Sequence, residues 1–189
     1  MTQNLNLAGW GKLGFFDIDE HQIQTQEDKR VRLVWIPLLA AQWKIIYDFK
    51  PTEYWHGKHT TGLSVHLSSD DDLLELFVSF LPPKNFRLGV RDPNTSRTII
   101  QVESNQLPKL QEWNRIEINH MEEGGRYFLS LSVGGNELGR RYTSRVHELG
   151  RRELGRILPN DAGIYLFGSD MLNLPQPGFI RGLLVLDKQ

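Results

Sequence analysis

Hydrophobic and polar residues alternate with a period of two along several stretches of the chain, which is typical of strands that bury one face. In the stretch 43–49, one face carries Trp43, Ile45, Tyr47 and Phe49, and the other carries Lys44, Ile46 and Asp48. The same alternation predicts strands at 63–68, 74–80, 86–91, 113–120 and 126–133. We expect the last two to pair as neighbours in one sheet.

Turn-forming residues separate these stretches at intervals of roughly ten residues, the spacing that a sandwich or barrel requires. They are Pro51, Pro82-Pro83, Pro93-Asn94, Gly124-Gly125 and Gly134-Gly135. This spacing excludes an α/β fold. The stretch 144–157 is long enough for a helix, but Gly150 and Gly155 disfavour one. The sequence therefore predicts an all-β protein with little helix.

Length and composition fit one domain over residues 1–189. The chain is 39% hydrophobic and 10% aromatic, which is enough for one sizeable core. Its formal net charge of −1 provides no global field for attracting nucleic acid, and no long apolar run predicts membrane insertion. Because the chain has no cysteine, disulfides, thiolate zinc sites and cysteine nucleophiles are excluded.

Two segments carry a resemblance to a known superfamily. The stretch 113–119, followed by 127–136, and the stretch 164–170, followed by 177–185, are similar to strands of the concanavalin A-like lectin and glucanase superfamily, and most of all to laminin G-like domains. The resemblance covers roughly residues 42–186. It implies a two-sheet antiparallel β-sandwich, a jelly roll, with one concave sheet and rim loops that can hold a cation.

The galectin branch of the superfamily shares the hairpin but not its sugar-binding motif. Where a galectin has His, an aromatic residue, Asn, Pro and Arg, this chain has His66 followed by Leu67, Ser68, Ser69 and Asp70, so only the histidine matches. The ligand of a laminin G-like domain is as often a protein as a glycan. The resemblance therefore implies a secreted or extracellular domain, with cell adhesion as one setting, although residues 1–10 lack the features of a signal peptide.

An aromatic and imidazole cluster between two predicted strands is the candidate glycan contact, because aromatic faces stack on sugar rings. We predict a site formed by this loop and a polar sheet face, with the residues Tyr54, Trp55, His56, His59, His66, Arg87, Arg91 and Glu117. The alternative is that Trp55 only caps the edge of the sandwich. His56 and His59 lack a third ligand that the spacing would place for zinc.

Three consecutive carboxylates at a predicted turn are the candidate cation ligands, because calcium prefers several oxygen donors. Asp70, Asp71 and Asp72 form this cluster, and Asp92 could join it from a neighbouring turn. The turn lacks the glycine and the regular spacing of a dedicated calcium loop, which favours a solvated turn. The expected cofactor is therefore none, or calcium.

Six arginines lie within seventeen residues and form a candidate patch for an anion or a protein partner. Guanidinium groups bind carboxylate, sulfate and phosphate through paired hydrogen bonds. The alternative is a solvated loop whose arginines pair with acidic residues elsewhere in the chain. The six are Arg140, Arg141, Arg145, Arg151, Arg152 and Arg156.

A glycosidase would need two carboxylates that flank the scissile bond. Glu117 and Glu122 resemble the acidic pair of laminarinase-type enzymes, but Asn119 replaces the middle aspartate and only about 67 residues follow. We therefore predict a non-enzymatic, lectin-like module that binds a glycan or glycoconjugate. The alternatives are a protein-interaction or assembly domain, in which the chain could also pair with itself, and lastly a glycoside hydrolase.

Overall fold

The computed structural model describes residues 9–16, 21–23, 31–34, 42–68, 73–92, 97–142, 163–166 and 174–188. Every regular element in these ranges is a β-strand. The strands are β1 (Trp10–Phe16), β2 (His21–Ile23), β3 (Val31–Val34), β4 (Trp43–Pro51), β5 (Thr60–Ser68), β6 (Leu73–Leu81), β7 (Asn85–Asp92), β8 (Arg97–Ser104), β9 (Asn114–Glu123), β10 (Arg126–Val133), β11 (Asn136–Tyr142), β12 (Gly163–Leu166), β13 (Leu174–Pro175) and β14 (Gly178–Lys188). The candidate helix at 144–157 lies outside the described residues.

The strands form two sheets, which confirms the predicted β-sandwich. Sheet A has the order β1-β14-β4-β9-β10-β11, and β2 also pairs with β14. Sheet B has the order β3-β12-β5-β6-β7-β8, and β13 also pairs with β5. Among these described strands, the pairing of β13 with β5 is parallel and the other pairings are antiparallel.

The predicted hairpin of 113–120 and 126–133 is confirmed as β9 and β10, which pair from Glu123 opposite Arg126 to Ile116 opposite Val133. The expectation that the first strand ends at residue 120 was wrong, since β9 continues to Glu123. Its turn consists of Gly124 and Gly125 with φ angles of 59° and 76°. Glycine adopts these left-handed angles without the strain of a Cβ atom, so the turn can be as tight as two residues.

One hydrophobic core lies between the sheets. The alternation along β4 places Trp43, Ile45, Tyr47 and Phe49 in it, as predicted, and each is at most 2% exposed. Sheet B contributes alternating residues of β5, β6, β7 and β8. Since successive side chains of a strand point to opposite faces, the residues between these core positions form the outer face of each sheet.

Candidate ligand-binding face

The outer face of sheet B is polar, although much of it is buried. We call this surface the polar face. Its positions alternate along β5 to β8 with the core residues Val65, Leu76, Leu88 and Val102. The polar face consists of Ser64, Glu75, Phe77, Ser79, Arg87, Gly89, Arg91, Gln101 and Glu103.

A buried ion pair crosses the middle of the polar face. Glu75 on β6 lies opposite Arg91 on β7, and the Nε and Nη2 atoms of Arg91 donate to Oε2 of Glu75 at 2.9 and 2.6 Å. The hydroxyl of Ser64 on β5 donates to Oε1 of the same carboxylate. Glu75 and Arg91 are only 2% and 5% exposed. Because both oxygens of Glu75 are engaged, the network fixes the position of the Arg91 guanidinium.

An aromatic ring supports this ion pair from the same face. The guanidinium carbon of Arg91 lies 4.8 Å from the centre of the Phe77 ring, which is a cation–π contact. The ring lies against Gly89 on the neighbouring strand, where a Cβ atom would come within 2.4 Å of the ring. Gly89 therefore makes room for Phe77. The sequence prediction did not include Ser64, Glu75 or Phe77, although their places opposite an apolar row on β5 and β6 were visible.

The more accessible charges of the polar face lie on β7 and β8. Arg87 stands between Ser79 and Glu103 in the register, and its Nη2 lies 2.9 Å from Oε1 of Glu103. The side chains of Arg87 and Glu103 are 21% and 42% exposed. The Nε atom of Arg87 is buried and donates to no acceptor among the described residues. Arg87 therefore presents a partly exposed guanidinium that Glu103 holds in place.

The predicted sheet residues do not all share this face. The backbone of His66 lies in one row with Glu75 and Arg91 on sheet B, while its side chain lies outside what the structure describes. Glu117 belongs to β9 of sheet A, between Ile46 and Ser132, and faces away from sheet B. Including Glu117 with His66, Arg87 and Arg91 was wrong, because alternation identifies the face of a strand and not the sheet to which the strand belongs.

The loop 52–59 joins β4 to β5 at the end of sheet B where Arg87 and Glu103 lie. Tyr54 of this loop is structural, since its hydroxyl donates to the carbonyl of Pro108 at 2.6 Å and its ring packs against Phe80. Burial raises the pKa of Tyr54 above its ordinary value. Tyr54 therefore has a packing role in this structure, and its predicted contact with a ligand stays a prediction.

The other members of this loop are more accessible. Trp55 is half-buried, and the ammonium group of Lys58 lies 5.5 Å from the centre of its ring. His56 and His59 are exposed. The amide of Gly57 donates to the carbonyl of Pro82, which connects the loop to the turn between β6 and β7. Trp55, His56 and His59 thus remain candidates for contact with a ligand at this end of sheet B.

Of the predicted cation ligands, only Asp92 has a described position, at the end of sheet B opposite the loop 52–59. Asp70, Asp71 and Asp72 fall outside the described residues, and Asp92 ends β7. Within the described ranges, no group of three His, Cys, Asp or Glu side chains could hold a metal ion. Calcium binding stays a prediction.

The arginine patch is described only in part, because Arg145, Arg151, Arg152 and Arg156 lie outside the described residues. Arg140 on β11 forms two hydrogen bonds of 2.7 Å with the carboxylate of Glu137 and a third of 2.7 Å with Glu123. Arg141 donates to the carbonyl of Gln101 at 3.3 Å. The pairing of Arg140 with acidic residues matches the alternative of a solvated, charge-paired segment.

The two glutamates of the glycosidase hypothesis lie on one strand but not on one face. Glu117 and Glu122 are five residues apart on β9, and an odd separation places side chains on opposite faces of a strand. Glu122 pairs with Tyr127 at the far end of the hairpin. The two carboxylates therefore cannot flank one glycosidic bond.

Comparisons with known proteins find similarity in structure only. No family model and no curated protein sequence matches the chain. Among solved structures, the CBM40 module of the Ruminococcus gnavus IT-sialidase, bound to α2,3-sialyllactose, has a TM-score of 0.64 at 12% identity, covering 95% of this chain and 93% of the module.

As for membrane association, the described part of the chain has no helix long and apolar enough to cross a bilayer.

Two enzymes are also similar in fold. A leech intramolecular trans-sialidase complexed with 2,7-anhydro-Neu5Ac has a TM-score of 0.60 at 12% identity, covering 93% of this chain and 26% of the enzyme. An endo-1,3-β-glucanase from Streptomyces sioyaensis has a TM-score of 0.55 at 8% identity, covering 98% and 99%. These structures confirm the concanavalin A-like jelly roll as the fold of this chain. The fold is shared by binding modules and enzymes, so function depends on the residues of the site.

Proposed function

We propose that the chain is a non-enzymatic module that binds an acidic glycan on the polar face, with Arg87 as the principal contact. The observation that carries the proposal is the guanidinium of Arg87, whose side chain is 21% exposed and whose Nη2 atom lies 2.9 Å from Oε1 of Glu103, so that it is both accessible and held in place. A guanidinium fixed in this way loses little conformational freedom when it binds a carboxylate or a sugar hydroxyl.

The neighbouring residues suit a saccharide. Glu103 is partly exposed and can accept a hydrogen bond from a sugar hydroxyl, and the amide of Gln101 stands two residues before it on the same face. Trp55 lies at the same end of sheet B and offers an aromatic surface against which a sugar ring can stack. Glu75, Arg91 and Ser64 form a buried supporting layer and do not contact the ligand directly.

The acidic group of the ligand is proposed from the charge of the face and from the structural comparison. Arginine is the residue best suited to recognise a carboxylate through paired hydrogen bonds. The similar CBM40 module is described in complex with sialyllactose, a saccharide that carries a carboxylate. Sialylated oligosaccharides are therefore the first ligands to test.

A binding role fits the acids of the polar face better than hydrolysis does. Glu75 is buried and held by Arg91 and Ser64, and Glu103 is held by Arg87, so each carboxylate stabilises a nearby cation. Glycoside hydrolysis requires two carboxyl groups that can reach the scissile bond, whereas these two are engaged by Arg91 and Arg87.

Isothermal titration calorimetry with 3′-sialyllactose and with lactose tests the proposal, in calcium and in EDTA. We expect sialyllactose to bind more tightly than lactose, and Arg87→Ala to weaken this binding at least tenfold. The matched control is Arg126→Ala, which removes an exposed arginine from sheet A. If neither saccharide binds in either buffer, or if the two variants behave alike, the proposal is wrong. In the same assay, a Trp55→Ala variant tests whether the loop 52–59 contributes to binding of sialyllactose.

A second candidate function is assembly through a sheet edge. Among the described strands, β11 ends the path of sheet A and pairs only with β10, and five of its seven residues are exposed. Such an edge can pair with a strand of another chain. Light scattering tests this candidate: a monodisperse monomer at high concentration would contradict self-assembly. An extracellular location stays a prediction.

A further inference from the structure

A cleft opens at the end of the sandwich where β9 begins and β10 ends. It lies between the loop 105–113, which joins β8 to β9, and the turn between β10 and β11. Its volume is about 580 Å³, which is large enough for a saccharide of one or two rings. The walls include Gln106, Leu107, Lys109, Trp113, Arg115 and Asn136. None of these residues belongs to the polar face.

One wall of the cleft is held rigid by the side chain of Asn114, which is 9% exposed. Its amide nitrogen donates to the carbonyls of Lys109 and Glu112 at 2.9 and 2.7 Å, and its oxygen accepts from the amide of Lys109 at 2.9 Å. The same nitrogen lies 3.3 Å from the carbonyl of Phe49 on β4. A loop fixed by one buried side chain presents its exposed groups in a constant arrangement.

Three further hydrogen bonds join this loop to the end of β4 and to the loop 52–59. The hydroxyl of Tyr54 donates to Pro108, and Gln111 donates to the carbonyls of Pro51 and Thr52 at 2.9 and 2.7 Å. Gln111 has a φ of 61°, a left-handed angle that costs free energy in a residue with a side chain. These contacts keep the cleft open in the free protein, and a preformed site binds its ligand at a lower entropic cost.

The side of the cleft formed by sheet A is positively charged. In one row across the sheet, Asp48 lies 3.0 Å from Arg115 and 3.4 Å from Arg181. Arg181 also covers the ring of Trp113, with its guanidinium carbon 4.1 Å from the ring centre, and the ammonium group of Lys50 lies 5.9 Å from that centre. Two arginines therefore share one carboxylate beside the cleft.

The local charge favours an anion. In the cleft and the two adjoining rows, Lys50, Lys109, Arg115 and Arg181 are opposed by Asp48 and Glu112. This leaves an excess of two positive charges, in a chain whose formal net charge is −1. A concave surface with such an excess attracts anionic ligands. Lys109 is 76% exposed and its ammonium group lies 3.5 Å from the carboxylate of Glu112, an exposed pair that a ligand carboxylate can replace at little cost.

We propose that this cleft is a second binding site, for a saccharide that carries carboxylate groups. Lys109 and Arg115 bind the carboxylate, and the side-chain amides of Gln106 and Asn136 exchange hydrogen bonds with ring hydroxyls. Leu107 and the edge of Trp113 form the apolar surface against which a sugar ring lies. A protein with sites on two faces could hold two positions of one polysaccharide, which raises its overall affinity without any new contact.

NMR titration of the ¹⁵N-labelled protein with tetragalacturonate tests the second site, with neutral cellotetraose as the comparison. We expect tetragalacturonate to shift the indole resonance of Trp113 and the amide resonances of Gly134 and Asn136. The double variant Lys109→Ala/Asn136→Ala should weaken this binding at least tenfold, and Lys84→Ala, which removes an exposed lysine from the turn between β6 and β7, should leave it unchanged. Circular dichroism and melting temperature check that each variant folds.

Three results would overturn the second site: no shift at these resonances, an equal shift with cellotetraose, or an undiminished shift in the double variant. The test of the cleft is independent of the polar face, because Arg87→Ala should weaken binding of sialyllactose at least tenfold and leave the tetragalacturonate shifts intact. If Arg87→Ala removes both, the cleft is not a separate site. If tetragalacturonate shifts the resonances of the cleft residues while sialyllactose does not bind, the proposed function fails and the second site stands.

Discussion

Arg91 donates two hydrogen bonds to one carboxylate oxygen of Glu75 from the neighbouring strand, and both residues are almost fully buried on the outer face of their sheet. A buried pair of this kind gains Coulomb energy in a low dielectric but loses the hydration of both ions. Its net contribution to stability is small, whereas the loss of one partner is costly. The pair therefore holds the polar face in one arrangement.

Glu75→Gln should lower the free energy of unfolding by about 3 kcal/mol, because it leaves the charge of Arg91 buried without its carboxylate. Urea denaturation monitored by tryptophan fluorescence measures this loss. The control is Glu103→Gln, which breaks a pair that is partly exposed to solvent and should cost less than about 1 kcal/mol. Similar losses for the two variants would contradict the view that Glu75 and Arg91 form the structural layer of the face.

Gly89→Ala should destabilise the fold by between about 1 and 3 kcal/mol, because the added Cβ atom meets the ring of Phe77 at 2.4 Å. Phe77→Leu removes that ring, so the cost of Gly89→Ala should fall when both changes are present. A double-mutant cycle by urea denaturation measures this coupling. If the two changes have additive effects on the free energy of unfolding, the ring of Phe77 does not pack against Gly89.

Removal of the hydroxyl group should change the stability of the fold differently at two tyrosines. Tyr47 is 1% exposed and its hydroxyl has no hydrogen-bond partner in the described part of the chain, so Tyr47→Phe should be neutral or stabilise the fold by about 1 kcal/mol. Tyr54→Phe removes the hydrogen bond to Pro108 and should cost about 1 kcal/mol. Thermal unfolding of both variants provides the comparison. A loss of stability in Tyr47→Phe would mean that its hydroxyl has a partner.

The pKa of Glu123 should lie below its ordinary value, because Tyr142 donates a hydrogen bond to the carboxylate and Arg140 adds a nearby positive charge. A carboxyl group whose pKa falls on folding stabilises the protein above its unfolded pKa, and this contribution is lost as the pH falls through the folded pKa. Because Tyr142→Phe removes this hydrogen bond, it should raise the pKa of Glu123. A ¹³C NMR titration of the side-chain carboxyl carbons measures it, and an unchanged midpoint would assign the shift to Arg140 alone.

Part of the candidate site was predictable from the pattern of the strands. Arg87 and Arg91 alternate with Phe86, Leu88 and Val90, so the sequence already places both arginines on the face of a strand away from the core. Glu75 was predictable in the same way, from its place between Leu74 and Leu76. Glu117 follows the same rule and yet faces the other side of the sandwich. Alternation along one strand contains no information about the strands beside it.

The sequence by itself determined which residues form strands and which face of each strand enters the core, because the period of two and the turn residues are local properties of the chain. Only the tertiary structure decided that Glu75 meets Arg91, that Asn114 reaches the carbonyl of Phe49 on β4, and that Glu117 lies on the other sheet from Arg87 and Arg91. These contacts join residues that are distant along the chain. Their partners depend on the order and register of strands in each sheet, which local preferences do not specify.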